Sequence, residues 1–271
     1  MKKYSFVLVL ALFCHSSLTM MEKPKKKEVI AFNSLLQAVK RGDFKTAAQL
    51  VDTHKVPAAI ASDISQEMEK YITGVSYNPK CISLKNLSLL TIIYWNFHDK
   101  FDVGQMVVNK KIVEKYIGAF TDMLQARFAI KEISLIDKYG ADDDESMANN
   151  NSSALCCRVI TGDEKKKNPT WSKHSFGAAV DINPVENPYI KRISGCKDVI
   201  FPANAKDCLD RGKPKKGMIV AGDACHKAFV SRGFQWGGDK DFKWGGGWVN
   251  NGSQSKFDYQ HFDIDLKDVE Q

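Results

Sequence analysis

The sequence predicts an α+β protein: a small antiparallel sheet covered by helices, preceded by a small helical segment. Three observations lead there. Apolar residues recur at helical spacing between residues 28 and 75, an apolar block suited to a buried strand follows Leu87, and short strands and helices then interleave among Gly-rich loops. Composition agrees, because 44% of the 271 residues are hydrophobic and 26% charged, which excludes disordered, collagenous and coiled-coil chains. The length suits one catalytic-sized domain with a smaller appendage. A formal charge of +7 permits an anionic partner but lacks the concentrated basic stripe of a nucleic-acid binder, so no nucleic acid is expected as a partner.

The first residues address the compartment. Lys2 and Lys3 precede an apolar run from Tyr4 to Phe13, followed by Ser16, Ser17 and Thr19, the pattern of a secretory signal over residues 1–21. The run is shorter than the roughly 20 apolar residues a spanning helix needs, so the mature form is expected to be exported, periplasmic or extracellular, without a transmembrane span. Phe13 before Cys14 makes a poor lipoprotein box, which leaves a lipid anchor at Cys14 as a minor alternative. Six cysteines remain after the signal, and in an oxidising space an even count suggests pairs. Cys196 with Cys208 is the first expectation, since the two flank a loop rich in turn residues.

Residues 22–27 form a basic spacer. Beyond it, Phe32, Leu35, Leu36 and Val39, then Phe44, Ala47, Ala48 and Val51, repeat at helical spacing on either side of Arg41-Gly42-Asp43. This predicts a helical hairpin. A third helix is expected from Pro57 through Ile60, Ile64, Met68 and Ile72, making residues 28–75 a helical appendage. A single hairpin is too little for a solenoid, which needs about three repeats. Leu87–Phe97 reads as a buried strand, and Gly104 and Val107-Val108-Asn109 lead into a helix carrying Val113, Ile117, Phe120 and Leu124. Ile133 and Leu135 suggest a strand, Asp142–Glu145 an acidic loop, Leu155–Ile160 and Ala178–Ile182 short strands, and Ala224–Ser231 a helix.

Of the histidines after the signal, two stand in unusual company. His174 lies in Ser172-Lys-His-Ser-Phe-Gly-Ala-Ala-Val-Asp181, where an apolar, small-residue strand carries a carboxylate that needs a partner or a metal. His261 lies in Asp258-Tyr-Gln-His-Phe. Two imidazoles and one carboxylate satisfy a zinc ion and leave a fourth position for water, as in a catalytic site. Asp258 then serves either as a base facing that water or as a fixing group for His261. The same donors also make an iron facial triad, but there the first His and acid usually stand two apart, not seven.

Taken in order, these segments resemble the zinc peptidase family that contains D-alanyl-D-alanine carboxypeptidases, L-alanyl-D-glutamate endopeptidases and the vancomycin-resistance D,D-dipeptidases. The family's S-x-H-x-x-G-x-A-x-D element is matched by Ser172, His174, Gly177, Ala179 and Asp181, followed by Ile182-Asn183-Pro184. Gly233–Asp239 matches G-F-x-W-G-G-D, Asp258–Phe262 matches D-Y-x-H-F, and the stretch from Ser146 to Arg158 is similar to the run that ends in an arginine beside the metal. The likeness covers roughly residues 82–266, with four ordered motifs. It implies a hedgehog/D-Ala-D-Ala peptidase-like fold, one Zn2+ held by His174, Asp181 and His261, and attack of a zinc-bound water with Asp258 as base. It also implies that Arg158 stabilises the scissile carbonyl oxygen. Ser172 either binds substrate or caps the turn before His174. Tyr259 and Trp236 are candidates for the substrate groove, with core packing the stronger expectation for Trp236.

The implied activity is hydrolysis of peptidoglycan stem peptides by a monomer, as a D,D-carboxypeptidase or an L-alanyl-D-glutamate endopeptidase. The sequence departs from the family at Cys156, usually Asn, at Lys240, usually Trp, and at Asp263, usually Glu; Trp244 and Trp248 lie in a Gly-rich insertion. Because the same fold resembles the hedgehog signalling domain, the alternative is a catalytically inactive zinc-binding module that binds wall or partner. Arg158 and Asp258 argue against it.

Overall fold

A computed structural model of the protein describes residues 26–54, 56–160, 163, 165–193, 197–239 and 254–269. The signal segment with Cys14, residues 22–25 of the spacer, Cys196 and the stretch holding Lys240, Trp244 and Trp248 lie outside the described residues, and with them the expected Cys196–Cys208 pair.

Helices α1 (Lys26–Lys40) and α2 (Phe44–His54) form the expected hairpin. It turns at Gly42 with φ +71° and is capped where Thr46 N–H donates to Asp43. Its apolar faces, Phe32, Leu35, Ala47 and Val51, enter the main core instead of forming one of their own. The chain then departs from the expected third helix. Residues from Ala59 to Ser62 are strand β1, and α3 begins only at Gln66 and runs to Ile72, where Ser65 caps Met68 N–H. The four-residue spacing of Ile60, Ile64, Met68 and Ile72 is a helical pattern only in its second half. In the first half the open edge of β2 (Leu87–Asn96) recruits the chain into an antiparallel ladder, Ala59 opposite Ile92.

β2 pairs antiparallel with β3 (Phe101–Asn109), from Leu87 opposite Asn109 to Trp95 opposite Phe101. In place of the expected lead into a helix a second strand forms, because the tight turn at Asn96–Lys100 folds the chain back: the Asn96 side chain accepts from His98 and Lys100 N–H. The expected helix follows as α4 (Val113–Gln125), which buries Tyr116, Phe120 and Leu124. β4 (Ala129–Ile130) joins β2 in parallel, completing a four-stranded sheet.

β5 (Glu132–Ile133) ends before Leu135 and pairs in parallel with β6 (Asn151–Ser152). Between them the expected acidic loop is instead helix α5 (Asp143–Ala148). Asp142 caps Glu145 N–H, and the carboxylates of Asp143, Asp144 and Glu145 occupy a first turn that favours negative charge. The expected strand at Leu155–Ile160 is absent apart from a single bridge, Val159 with Trp171. The run is held by tertiary hydrogen bonds, Cys156 N–H to His174 O and Cys157 N–H to Ser76 O, and by a Cys81–Cys157 disulfide. Cys156 and Cys225 are buried free thiols, and Cys208 is buried without a disulfide to any described residue.

Two small antiparallel sheets complete the fold. One orders β10 (Gln235–Trp236), β12 (His261–Asp263) and β7 (Ala179–Asp181), and the other β11 (Gln254–Asp258), β8 (Tyr189–Ile193) and β9 (Val199–Phe201). Helix α6 (Ala224–Val230) packs on α4, with Phe229 edge-on to Phe120 and stacked on Phe262. Among the described residues the architecture is mixed α+β with several small sheets under helices and no closed barrel.

Candidate metal centre

Three side chains from two strands and one turn converge. β7 and β12 run antiparallel with His261 directly opposite Asp181, so the ladder register itself brings imidazole and carboxylate together. His174 arrives on a 3-10 turn, Lys173–Phe176, whose N–H at His174 is capped by Ser172 and whose exit at Gly177 has φ +61°. A side chain at Gly177 would put its Cβ 2.6 Å from Asn109 N, where β3 donates its N–H to Gly177 O. The glycine therefore lets the end of β3 dock against this turn. Ligand atoms of His174, Asp181 and His261 all lie within 4.8 Å of one another, and this is the group among the described residues that could hold a metal ion.

Each imidazole is oriented by its far nitrogen. His174 Nδ1 lies 2.6 Å from Ala154 O, and because a carbonyl only accepts, Nδ1 carries a hydrogen and Nε2 is the nitrogen that faces the cluster. His261 Nε2 lies 3.1 Å from Asp263 Oδ2, which leaves Nδ1 facing Asp181 Oδ1 at 3.0 Å and His174 Nε2 at 3.2 Å. Asp263 is wholly buried and is itself held by Lys173 Nζ at 2.8 Å. Both histidines thus have the anchoring partner that metal-ligating histidines usually have. The motifs do not signal Asp263 as an anchor: strand alternation puts residues 261 and 263 on one face and offers the His261–Asp263 link, whereas the Lys173–Asp263 link spans 90 positions.

The electrostatics fit a cation. Burial alone would raise the Asp181 carboxyl, but the facing imidazoles hold it well below the usual carboxylate range. Burial would lower His261, yet its contacts with Asp181 and Asp263 push it up to about 10, so the cluster draws positive charge to this spot. Four carboxylates, Asp143, Asp181, Asp258 and Asp263, face two side-chain cations, Arg158 and Lys173, through the contacts and fields of this cluster. With neutral imidazoles that set carries two negative charges, which a divalent ion balances. Two imidazoles and one carboxylate suit zinc with an open coordination position.

Asp258 ends β11 beside this cluster. Its Oδ1 is buried with no hydrogen-bond partner among the described residues, and burial pushes the carboxyl up to about 6. Its place depends on Gly237, whose N–H donates to His261 O and whose carbonyl accepts from Asp258 N–H. A Cβ at Gly237 would lie 2.4 Å from Asp258 O. Arg158 reaches toward the same region, paired through Nε with Asp143 and interacting electrostatically with Asp181 and Asp258. Tyr259 is half-buried over Arg211, whose guanidinium lies 4.4 Å from the ring centroid. Trp236 is 4% exposed and packs on Phe262, Tyr259 and His226, with its Nε1–H donated to Tyr259 O. Its place is in the core behind the site. Ser172 is buried beneath His174 as a turn cap.

Fold and site together define an α+β protein with a candidate metal centre of two histidines and one aspartate. The family model described as D-alanyl-D-alanine carboxypeptidase matches residues 165–243, which supports the zinc D-alanyl-D-alanine peptidase family and a hydrolase of the peptidase class. The matched stretch contains His174, Asp181 and Trp236 and stops short of Asp258 and His261. Comparison with curated proteins and with solved structures gives no match.

Proposed function

We propose that the protein is an exported zinc peptidase that hydrolyses peptide bonds in peptidoglycan stem peptides, as a D,D-carboxypeptidase or an L-alanyl-D-glutamate endopeptidase. The observation that carries this reading is the convergence of His174, Asp181 and His261 within 4.8 Å, each imidazole anchored at its far nitrogen, beside the Asp258 carboxylate, whose buried Oδ1 has no hydrogen-bond partner among the described residues. These three residues would hold one Zn2+, which when bound supplies Lewis acidity that polarises a carbonyl and acidifies water.

The chain's own groups do the rest. Asp258, its carboxyl raised to about 6, is ionised near neutral pH and takes a proton from the attacking water, then returns it to the leaving amine. Arg158 is a fixed cation that stabilises the negative charge developing on the scissile carbonyl oxygen. Ser172 acts by capping the His174 turn, and Tyr259 contributes to the groove wall, with Trp236 packed behind it. Export is supported by the Cys81–Cys157 disulfide, a bond favoured in oxidising compartments. No helix among the described residues is long and apolar enough to cross a membrane.

Digestion of purified muropeptides followed by mass spectrometry tests the reading. Loss of one alanine identifies a carboxypeptidase, and separation between L-alanine and D-glutamate an endopeptidase. Unaltered muropeptides with zinc-loaded protein would point to the non-hydrolytic binding module instead.

A further inference from the structure

We propose that Asp143 is a positioning residue, whose carboxylate aims the Arg158 guanidinium at the reacting carbonyl and makes α5 one wall of the site. The inference rests on the peptidase reading above.

Arg158 stands on the irregular run after β6, where no strand ladder sets its direction. Its backbone is well fixed: the N–H donates to Ser175 Oγ at 3.0 Å, and the carbonyl accepts from Ser172 N–H at 3.0 Å and Ser175 Oγ at 2.7 Å. A long side chain on a fixed backbone still needs something to point it. Asp143 Oδ2 supplies that through its ion pair with Arg158 Nε, the two side chains being only 28% and 32% exposed. Arg158 Nε makes no hydrogen bond among the described residues, so Asp143 acts on the rigid guanidinium through charge, while Nη1 reaches Val159 O at 3.5 Å and further N–H donors are left for a substrate oxygen.

Helix α5 is anchored so that Asp143 faces inward. Ser146 Oγ accepts from the Asn151 side chain at 3.1 Å, tying the helix to β6. Met147 Sδ accepts from Gln260 Nε2 at 3.4 Å, and Gln260 immediately precedes His261. Asp143 and Met147 are one turn apart and share a helix face, so one side of α5 touches both Arg158 and the strand entry that carries His261. The field of Asp143 also reaches His174 and Asp181. An ordinary surface ion pair would have no reason to lie on the helix face that meets the metal ligands' neighbours.

The test uses the full zinc-loaded chain with purified muropeptides as substrate, comparing Asp143→Asn, Asp143→Glu, Arg158→Ala and the double variant Asp143→Asn with Arg158→Ala. Asp143→Asn is expected to lower kcat by about 10- to 100-fold, the range for groups that orient a functional residue, with KM, zinc content and thermal midpoint little changed. Asp143→Glu should recover part of the loss, and Asp143→Asn should add nothing once Arg158 is alanine. An equal loss in both backgrounds, or no loss in wild type, overturns the proposal. The NMR order parameter of the Arg158 Nε–H vector gives a readout that needs no hydrolysis, high in the parent and lowered by Asp143→Asn. If the parent cuts no muropeptide, the peptidase reading fails, and the order-parameter measurement alone judges the pair: equal order in parent and variant overturns it.

Discussion

The two walls of the site are built by different rules. On one, Asp181 and His261 are direct partners in an antiparallel ladder, so backbone register brings the two candidate ligands together. On the other, Arg158 stands on a run with no ladder of its own, held by side-chain hydrogen bonds, a disulfide one residue away and an ion pair from α5. The first wall joins two short motifs 80 positions apart through strand register, whereas the second depends on side-chain contacts with residues 15 and 76 positions away from Arg158 and its neighbour Cys157. A ladder fixes where a side chain is; distant contacts are needed to fix where a long side chain points.

The contrast can be broken at several places. The largest effect is expected on the ladder wall, where His261→Ala or Asp181→Ala should reduce zinc from about one ion per chain to near none, as expected when a three-ligand site loses a ligand. Elemental analysis of protein purified without added metal checks this. Next comes Gly237→Ala, whose new Cβ meets the Asp258 carbonyl and must push β11 away. Zinc should be retained while hydrolysis falls about 100-fold, the cost of displacing a catalytic group by about 1 Å. Unchanged kcat in that variant would show that the close approach of Asp258 is not needed.

The pH dependence is gentler and has a defined sign. The Asp258 carboxyl is raised to about 6 by burial, so the base is protonated below that pH and ionised above it. Hydrolysis should therefore climb through an acid limb near pH 6, falling about tenfold per unit below it, since a general base acts only when deprotonated. A rate independent of pH between 4.5 and 7 would contradict the assignment. The smallest effect is expected from Lys173→Met, which leaves Asp263 buried beside His261 without its cation. Competition with a chelator should show zinc affinity weakened by about 10-fold, the low end for a group outside the ligand set.

The same contrast explains what was legible in the sequence. The convergence of His174, Asp181 and His261 beside Asp258 could be read because short motifs keep their spacing when a strand or turn carries them. The helices at α1, α2, α4 and α6 were legible from apolar periodicity. β1 was not, because Ile60 continues a four-residue apolar spacing and only the open edge of β2 decides for a strand. α5 was not, since four consecutive acidic or capping residues look like a solvated loop until Asp142 is seen to cap and the rest to lie in the first turn. The Cys81–Cys157 bond joins residues 76 apart, and no local pattern marks such a pair. Lys173 and Asp263 were visible as residues but not as partners, because their contact spans 90 positions.

The central claim, that the metal-binding trio serves hydrolysis through a separate base, is tested most directly by Asp258→Asn measured for zinc and for muropeptide cleavage in one preparation. The account predicts full zinc occupancy with cleavage reduced by at least about 100-fold, the lower bound for removing a general base. Full cleavage by the zinc-loaded variant would contradict it.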